Sequence, residues 1–423
     1  MPMTNIRPGL LTAFLVILFA TGCVSRRSSC APPQLARASG LISANPTAEE
    51  PSVLDTDLVK SLADRLRTAN SPDFTAPTKR AKILALSSGG AYGAYGVGVL
   101  AGWTATGTRP EFDVVTGVST GALIGTYAFL GSNYDRRAAE LYTSLTDRDV
   151  FRRRLAGSLL WGDSVASSAP LKRLIEIEVD ENILIAVAKA HACGRRFYVG
   201  TTNLNTKRLV IWDMGGIASS GRPDSLELYR KVLLASAAIP GFLPPVEFDV
   251  TINGQQFTEL HADGGATTGV FVRASTLPVH GQDLKGSSSP LSGSDVYVIV
   301  SGKLYADPNC TDRRTVKIGE SSLQSLLYSQ ARAELFRIYT LCLLGGMNYH
   351  LASIPEDFPA PREAMKFNPE ESRKLYSAGF AAVTSGQAWR ATPPGAEAHE
   401  QIRPRTGNDF LAPGAASVPT TAP

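Results

Sequence analysis

The sequence predicts an α/β protein with a mainly parallel central sheet. Short apolar runs end in glycine or lead straight into glycine-marked turns, and each is followed by a small-residue stretch of helical character. This strand–helix pair occurs twice between Lys82 and Leu130, and such repetition requires crossovers that return to the sheet in the same direction. The composition agrees, because 43% hydrophobic and 19% charged residues over 423 positions describe a globular chain, neither disordered nor multiply membrane-spanning. A formal net charge of +4, with its basic residues scattered, argues against nucleic acid as a partner. Arg152-Arg153-Arg154 is the densest basic run and reads as a solvated helix end.

The first segment lies outside the fold. Arg7 precedes the apolar run Leu10 to Phe19, about half of the ~20 residues a membrane span needs, so residues 1–22 read as a signal peptide. Ala20-Thr21-Gly22 before Cys23 resembles a bacterial lipobox, which would make Cys23 a lipidated N-terminus. Ala20 stands where leucine is usual, which leaves plain signal-peptide cleavage as an alternative. Val24, rather than an aspartate, points to an outer-membrane anchor facing the periplasm. Residues 23–51 form a Ser-, Ala- and Pro-rich tether. Leu54, Leu58, Leu62 and Leu66 then recur every four residues as a short amphipathic helix. The domain is expected over residues 52–390, with its core at about 81–350 and helices after it. The Pro-, Ala- and Gly-rich tail 391–423 reads as disordered, and no internal repeat is present.

Within the domain, Lys82 to Ser87 is a buried strand and Tyr95 to Trp103 the helix after it. Phe112 to Thr116 is a second strand, feeding Gly117-Val118-Ser119-Thr120-Gly121 and the helix Ala122 to Leu130. Further strands are predicted at Arg196–Thr201, Leu209–Trp212 and Val296–Val300. Leu323, Leu326, Leu327, Leu335, Ile338 and Leu341 mark one face of a long helix, expected to be core rather than lipid-facing. Export would place Cys30, Cys193, Cys310 and Cys342 in an oxidising compartment, where four cysteines allow three pairings. Cys310 is the one expected to be bridged, and Cys342 reads as a buried thiol. No two cysteines have metal-ligand spacing, and no metal or cofactor is expected.

Three glycine-marked blocks carry the chemistry: Ser88-Gly89-Gly90-Ala91-Tyr92-Gly93, Gly117 to Gly121, and Asp263-Gly264-Gly265. Together they supply what a serine hydrolase requires, namely an oxyanion hole, a serine on a sharp turn and a carboxylate to take its proton. Ser119 follows an apolar strand and precedes a helix, whose N-terminus carries a partial positive charge. Gly117 and Gly121 relieve steric conflict around it. The amides of Gly89, Gly90 and Ala91 are the candidate oxyanion donors. A glycine loop could instead hold phosphate, but the dinucleotide-like pattern Gly96-x-Gly98-x-x-Ala101 falls inside the predicted helix, away from any tight turn.

The base has two readings. His261 is two residues before Asp263, so a Ser-His-Asp triad is open, with His191, His280, His350 and His399 as the other histidines. Alternatively Asp263 takes the serine proton directly, which needs a site dry enough to raise a carboxylate above its ordinary pKa of about 3.9.

With these blocks in this order, the chain resembles the patatin-like phospholipases. The resemblance rests on the glycine loop, Gly-x-Ser-x-Gly, the segment Ala235-Ser236-Ala237-Ala238-Ile239-Pro240-Gly241, and Asp-Gly-Gly, and spans roughly Ala81 to Trp389. It implies a three-layer α/β/α fold and hydrolysis of lipid acyl esters by a Ser119–Asp263 dyad, without histidine, metal or cofactor. The implied partner is a lipid or phospholipid at a membrane surface. Ser88 replaces the usual first glycine, Tyr92 replaces the usual Arg or Lys, and Ala266-Thr267-Thr268-Gly269-Val270 replaces an Asn-x-Pro. Losing the cation bears on head-group preference more than on acyl hydrolysis. A triad esterase of the α/β-hydrolase kind, an acyltransferase and a non-enzymatic envelope lipoprotein are the competing readings.

Overall fold

The computed structural model describes residues 80–154, 162–252, 254–272, 291–307, 310–361 and 363–396. The signal segment, Cys23, the tether, the Leu54 to Leu66 stretch, Cys30, His280, His399 and residues 397–423 of the tail lie outside the described residues.

In chain order the elements are β1 (Lys82–Leu86), α1 (Gly93–Ala105), β2 (Val114–Val118), α2 (Thr120–Leu130), α3 (Asp135–Ser144) and α4 (Asp147–Val150). A short pair β3 (Arg152–Arg153) and β4 (Ala166–Ser167) follows, then α5 (Ala169–Glu178), α6 (Glu181–Ala192), β5 (Arg196–Asn203) and β6 (Arg208–Asp213). The remainder is α7 (Met214–Ser219), α8 (Ser225–Ser236), β7 (Val246–Ile252), β8 (Gln255–Asp263), β9 (Asp295–Val300), α9 (Thr315–Gly345), β10 (Asn348–Ser353) and α10 (Pro369–Thr384).

The main sheet runs β10-β9-β1-β2-β5-β8-β7, with β6 also paired to β5. From β10 to β5 it is parallel, and β6, β7 and β8 join antiparallel. The central parallel strands β1 and β2 are largely apolar and buried because helices cover both faces. Alternate residues feed two cores: Leu84, Leu86, Val115, Phe197 and Val199 pack against α1, α2, α8 and α10. Ile83, Ala85, Val114, Tyr198 and Val298 pack against Leu335, Ile338 and Cys342 of α9. This is the expected three-layer arrangement.

Register explains how distant segments converge. Val118 at the end of β2 pairs with Gly200 of β5, and Asp263 at the end of β8 pairs with the next residue, Thr201. Because β6 occupies the other edge of β5 along both stretches, β2 and β8 share one edge. They therefore abut end to end, carboxyl terminus against carboxyl terminus.

Three sequence expectations need correction. The Arg152 region forms the exposed strand β3 rather than a helix end, because α4 stops at Val150. The stripe on α9 is core only in its second half: Leu335 and Ile338 are buried, whereas Leu323, Leu326 and Leu327 are exposed, Leu326 by 67%. Cys310 is exposed and forms no disulfide among the described residues, while Cys342 is the buried thiol expected, its pKa pushed up to about 12 by burial.

Candidate active site

β2 is buried throughout and delivers the chain into Ser119, whose φ of 56° and ψ of −125° lie outside the usual regions for an L-residue. Among the described residues, Lys207 is the other non-glycine with positive φ. Such a conformation costs on the order of 1–3 kcal/mol and persists where the surroundings over-determine it. The surroundings here are tight. A Cβ on Gly117 would lie 2.4 Å from the Gly121 carbonyl oxygen, and one on Gly121 would lie 2.4 Å from that of Leu86. Only glycine at both positions lets the turn close against the end of β1.

A second device holds the turn. The Ser119 amide donates to Ser236 Oγ at 2.9 Å, and that hydroxyl donates to the Gly200 carbonyl at 2.7 Å. Ser236 is fully buried at the end of α8. In the sequence it stands within the Ser-Ala-Ala-x-Pro-Gly segment, where its role is not apparent. Its type was the available signal, since a serine in an alanine-rich run needs a reason to be polar.

Asp263 stands at the head-on junction, 5% exposed. Its carboxyl accepts a hydrogen bond from the Gly265 amide at 2.7 Å, and the nearby Ser119 hydroxyl favours its ionised form. Burial pushes its pKa up to about 6, outweighing the Ser119 hydroxyl and the Gly265 amide, which favour the carboxylate. Its backbone is fixed as well: the amide donates to the Ala238 carbonyl, and Thr202 Oγ1 donates to its own carbonyl, both at 2.8 Å.

The three histidines among the described residues lie elsewhere. His261 is fully buried, with Nδ1 2.9 Å from Thr201 Oγ1 and Nε2 3.2 Å from Glu259 Oε2, and its ring packs on Trp212 and Phe248. His191 meets Arg196 and Asp213, and His350 meets Asp295. His261 is thus committed to structure, which removes the triad partner nearest Asp263 in sequence.

The glycine loop divides its amides. Ser87 and Ser88 donate to the Ile299 and Gly269 carbonyls, at 3.1 and 2.8 Å, anchoring the loop to β9 and to the segment after Asp263. The Ala91 amide, expected to face the reacting centre, donates to the Ala364 carbonyl at 2.8 Å. Ala91 is therefore tied to the segment before α10. The amides of Gly89 and Gly90 have no partner among the described residues, and Gly90 sits at φ 55°. The Thr120 amide opens α2, with no helical carbonyl behind it. Gly90, Ser119 and Thr120 line a small apolar cavity of about 50 Å³ with Leu123, Leu145 and Leu243.

Residues 84–279 match the family model of the patatin-like phospholipases. The chain contains a patatin-like phospholipase domain. It is an enzyme of the lipid acyl hydrolase class. The matched stretch carries all three glycine blocks and ends before α9. No curated protein matches the chain. Among solved structures, VipD from Legionella pneumophila is 12% identical with a TM-score of 0.35, over 77% of this chain and 72% of that one. The type III effector ExoU is 12% identical with a TM-score of 0.24, over 74% and 53%. Human GIVD cytosolic phospholipase A2 is 10% identical with a TM-score of 0.33, over 79% and 62%.

Proposed function

We propose that this domain hydrolyses lipid acyl esters through Ser119 as nucleophile and Asp263 as general base. The observation that carries the reading is a buried carboxyl of raised basicity beside the Ser119 hydroxyl, at the point where β2 and β8 end against each other. As Ser119 Oγ attacks the ester carbonyl, its proton passes to Asp263. The negative charge that develops on the carbonyl oxygen is met by the amides of Gly89 and Gly90, with Thr120 at the helix N-terminus as a further donor. Each such donor is worth roughly 3–4 kcal/mol of barrier. The tetrahedral intermediate collapses, and Asp263 returns its proton to the leaving alcohol. Asp263 then takes a proton from water, whose oxygen attacks the acyl-enzyme. The fatty acid departs and Ser119 regains its proton. The apolar walls beside Ser119 suit an acyl chain.

The setting is part of the proposal. The apolar leader and Cys23 support a lipid-anchored protein of the bacterial envelope, acting on lipid at a membrane surface. Ser119→Ala and Asp263→Asn should each abolish fatty-acid release from a short-chain ester, and a fluorophosphonate probe should label wild type but not Ser119→Ala. Full turnover by either variant would reject the dyad. Retention of a lipid label by Cys23→Ser would reject the anchor.

A further inference from the structure

Two cavities meet at the glycine loop. The smaller, of about 50 Å³, lies beside Ser119, and no charged side chain lines it among the described residues. The larger, of about 590 Å³, has Ser88 and Gly89 in its wall and takes further walls from α9 and from Ala360, Pro361, Ala364 and Met365. Ser119 lines the smaller cavity and not the larger. Consecutive loop residues therefore serve different spaces, Gly89 the larger and Gly90 the smaller, and Met365 lines both. The partition between them is the glycine loop together with Met365. The Met365 sulfur lies on that loop, 3.6 Å from where a Cβ on Gly90 would stand.

The segment carrying Met365 is fixed on both sides. The Ala364 carbonyl accepts from the Ala91 amide at 2.8 Å, and the Pro361 carbonyl accepts from the Tyr92 hydroxyl. The Phe367 amide donates to Asp147 Oδ1 of α4 at 2.7 Å. None of these bonds uses the Met365 side chain, so truncating it opens the partition without unfastening the segment. Met365 also lies beyond the stretch 84–279 matched to the family, so membership alone does not specify it.

Volume then bears on what the smaller cavity can hold. One water-sized group needs roughly 10–15 Å³ of such space. A cavity of about 50 Å³ therefore admits about four non-hydrogen atoms. Walls without charge suit a hydrocarbon chain and penalise a polar group. A long acyl chain needs several times this space, and that space stands across Met365.

Resting on the hydrolase reading, we propose that the smaller cavity is the acyl site, that it takes short acyl chains of about four carbons, and that Met365 sets this limit by closing it off from the larger cavity. The substrate class is then an ester of a short fatty acid, and removal of one side chain admits longer ones.

The full chain is assayed with p-nitrophenyl butyrate, hexanoate and octanoate, each at concentrations where it is monomeric. kcat/KM should favour butyrate over octanoate by about tenfold. Met365→Ala should raise the octanoate-to-butyrate ratio by about tenfold. Phe367 lines the smaller cavity alone, so Phe367→Ala should raise the hexanoate-to-butyrate ratio by no more than about threefold and leave octanoate behind butyrate. Should Met365→Ala fail to fold, Met365→Val is read in the same way. A wild type that prefers octanoate, or a ratio that Met365→Ala leaves unchanged, would overturn the inference and leave the hydrolase reading standing. No turnover of any ester would count against the hydrolase reading. Binding of the butyrate and octanoate esters to Ser119→Ala would then decide the cavity separately. Adding Met365→Ala should tighten the octanoate ester by about tenfold relative to the butyrate ester, and an equal change for both would overturn it.

Discussion

Titrating Asp263 tests the proposed chemistry and the structure together. A buried carboxyl with a pKa of about 6 is mostly protonated below that pH, where it cannot take the serine proton. On a soluble short-chain ester, kcat/KM should therefore rise through about pH 6, and at pH 5 stand near a tenth of its plateau. The same shift has a cost in stability. Folding raises the pKa from 3.8 to about 6, so the folded state holds its proton over a window where the unfolded chain has released it. Stability then falls as pH climbs from about 4 to about 6, and the penalty is complete above that. A shift of about two units corresponds to at most about 3 kcal/mol. Asp263→Asn removes the buried charge and should stabilise the protein by about 1–3 kcal/mol at pH 8, with the gain vanishing below about pH 4. Urea unfolding at several pH values measures this. A rate profile flat down to pH 4, together with an Asp263→Asn protein less stable than wild type at pH 8, would refute the buried-base argument.

Three other outcomes follow from the same geometry. Ser236→Ala leaves the Ser119 amide buried without an acceptor, which should cost about 1–3 kcal/mol of stability and lower kcat more than it raises KM. Gly121→Ala drives a Cβ to 2.4 Å from the Leu86 carbonyl oxygen and should cost more than about 3 kcal/mol, read as a lowered thermal midpoint with loss of probe labelling at Ser119. His261→Asn should lower stability by about 1–3 kcal/mol through lost bonds to Thr201 and Glu259, yet keep kcat/KM within about threefold. A folded but inactive His261→Asn protein would revive the triad.

Much of this arrangement was legible in the residues, and what was not has identifiable causes. The strands beside Ser119 were readable because buried parallel strands are uninterrupted apolar runs, as Val114-Val115 shows. The hairpin β7–β8 was missed although β7 carries a readable signal, since Val246, Phe248, Val250 and Ile252 alternate with Glu247, Asp249 and Thr251 in the period-two pattern of a half-buried strand. Ser119 and Asp263 stood out through their glycines. Their meeting depends on which edge of β5 each strand chooses, a tertiary fact that no local pattern encodes. Ala91 was misassigned because sequence cannot tell which amides of a glycine loop will find an internal acceptor. Ala364, which claims that amide, lies far along the chain. The exposure of Leu323, Leu326 and Leu327 was hidden likewise, since periodicity fixes a face but not what stands opposite it.

The same reasoning explains why the unfavourable features gather at one point. The serine with inverted φ, the desolvated aspartate and the two unpartnered glycine amides each cost free energy, and none helps the fold. They lie where two strands end against each other on one edge of β5, so the sheet's register fixes their positions without any regular element absorbing the strain. Compensation comes from directly behind the turn: Ser236 bridges the Ser119 amide to Gly200, and the Asp263 amide and carbonyl are bonded to Ala238 and Thr202. The Ser119 amide and the backbone of Asp263 are therefore held by hydrogen bonds, while the Gly89, Gly90 and Thr120 amides keep no partner among the described residues. That division is what a preorganised reaction centre needs, since partners absent from the resting site are the ones a transition state can supply.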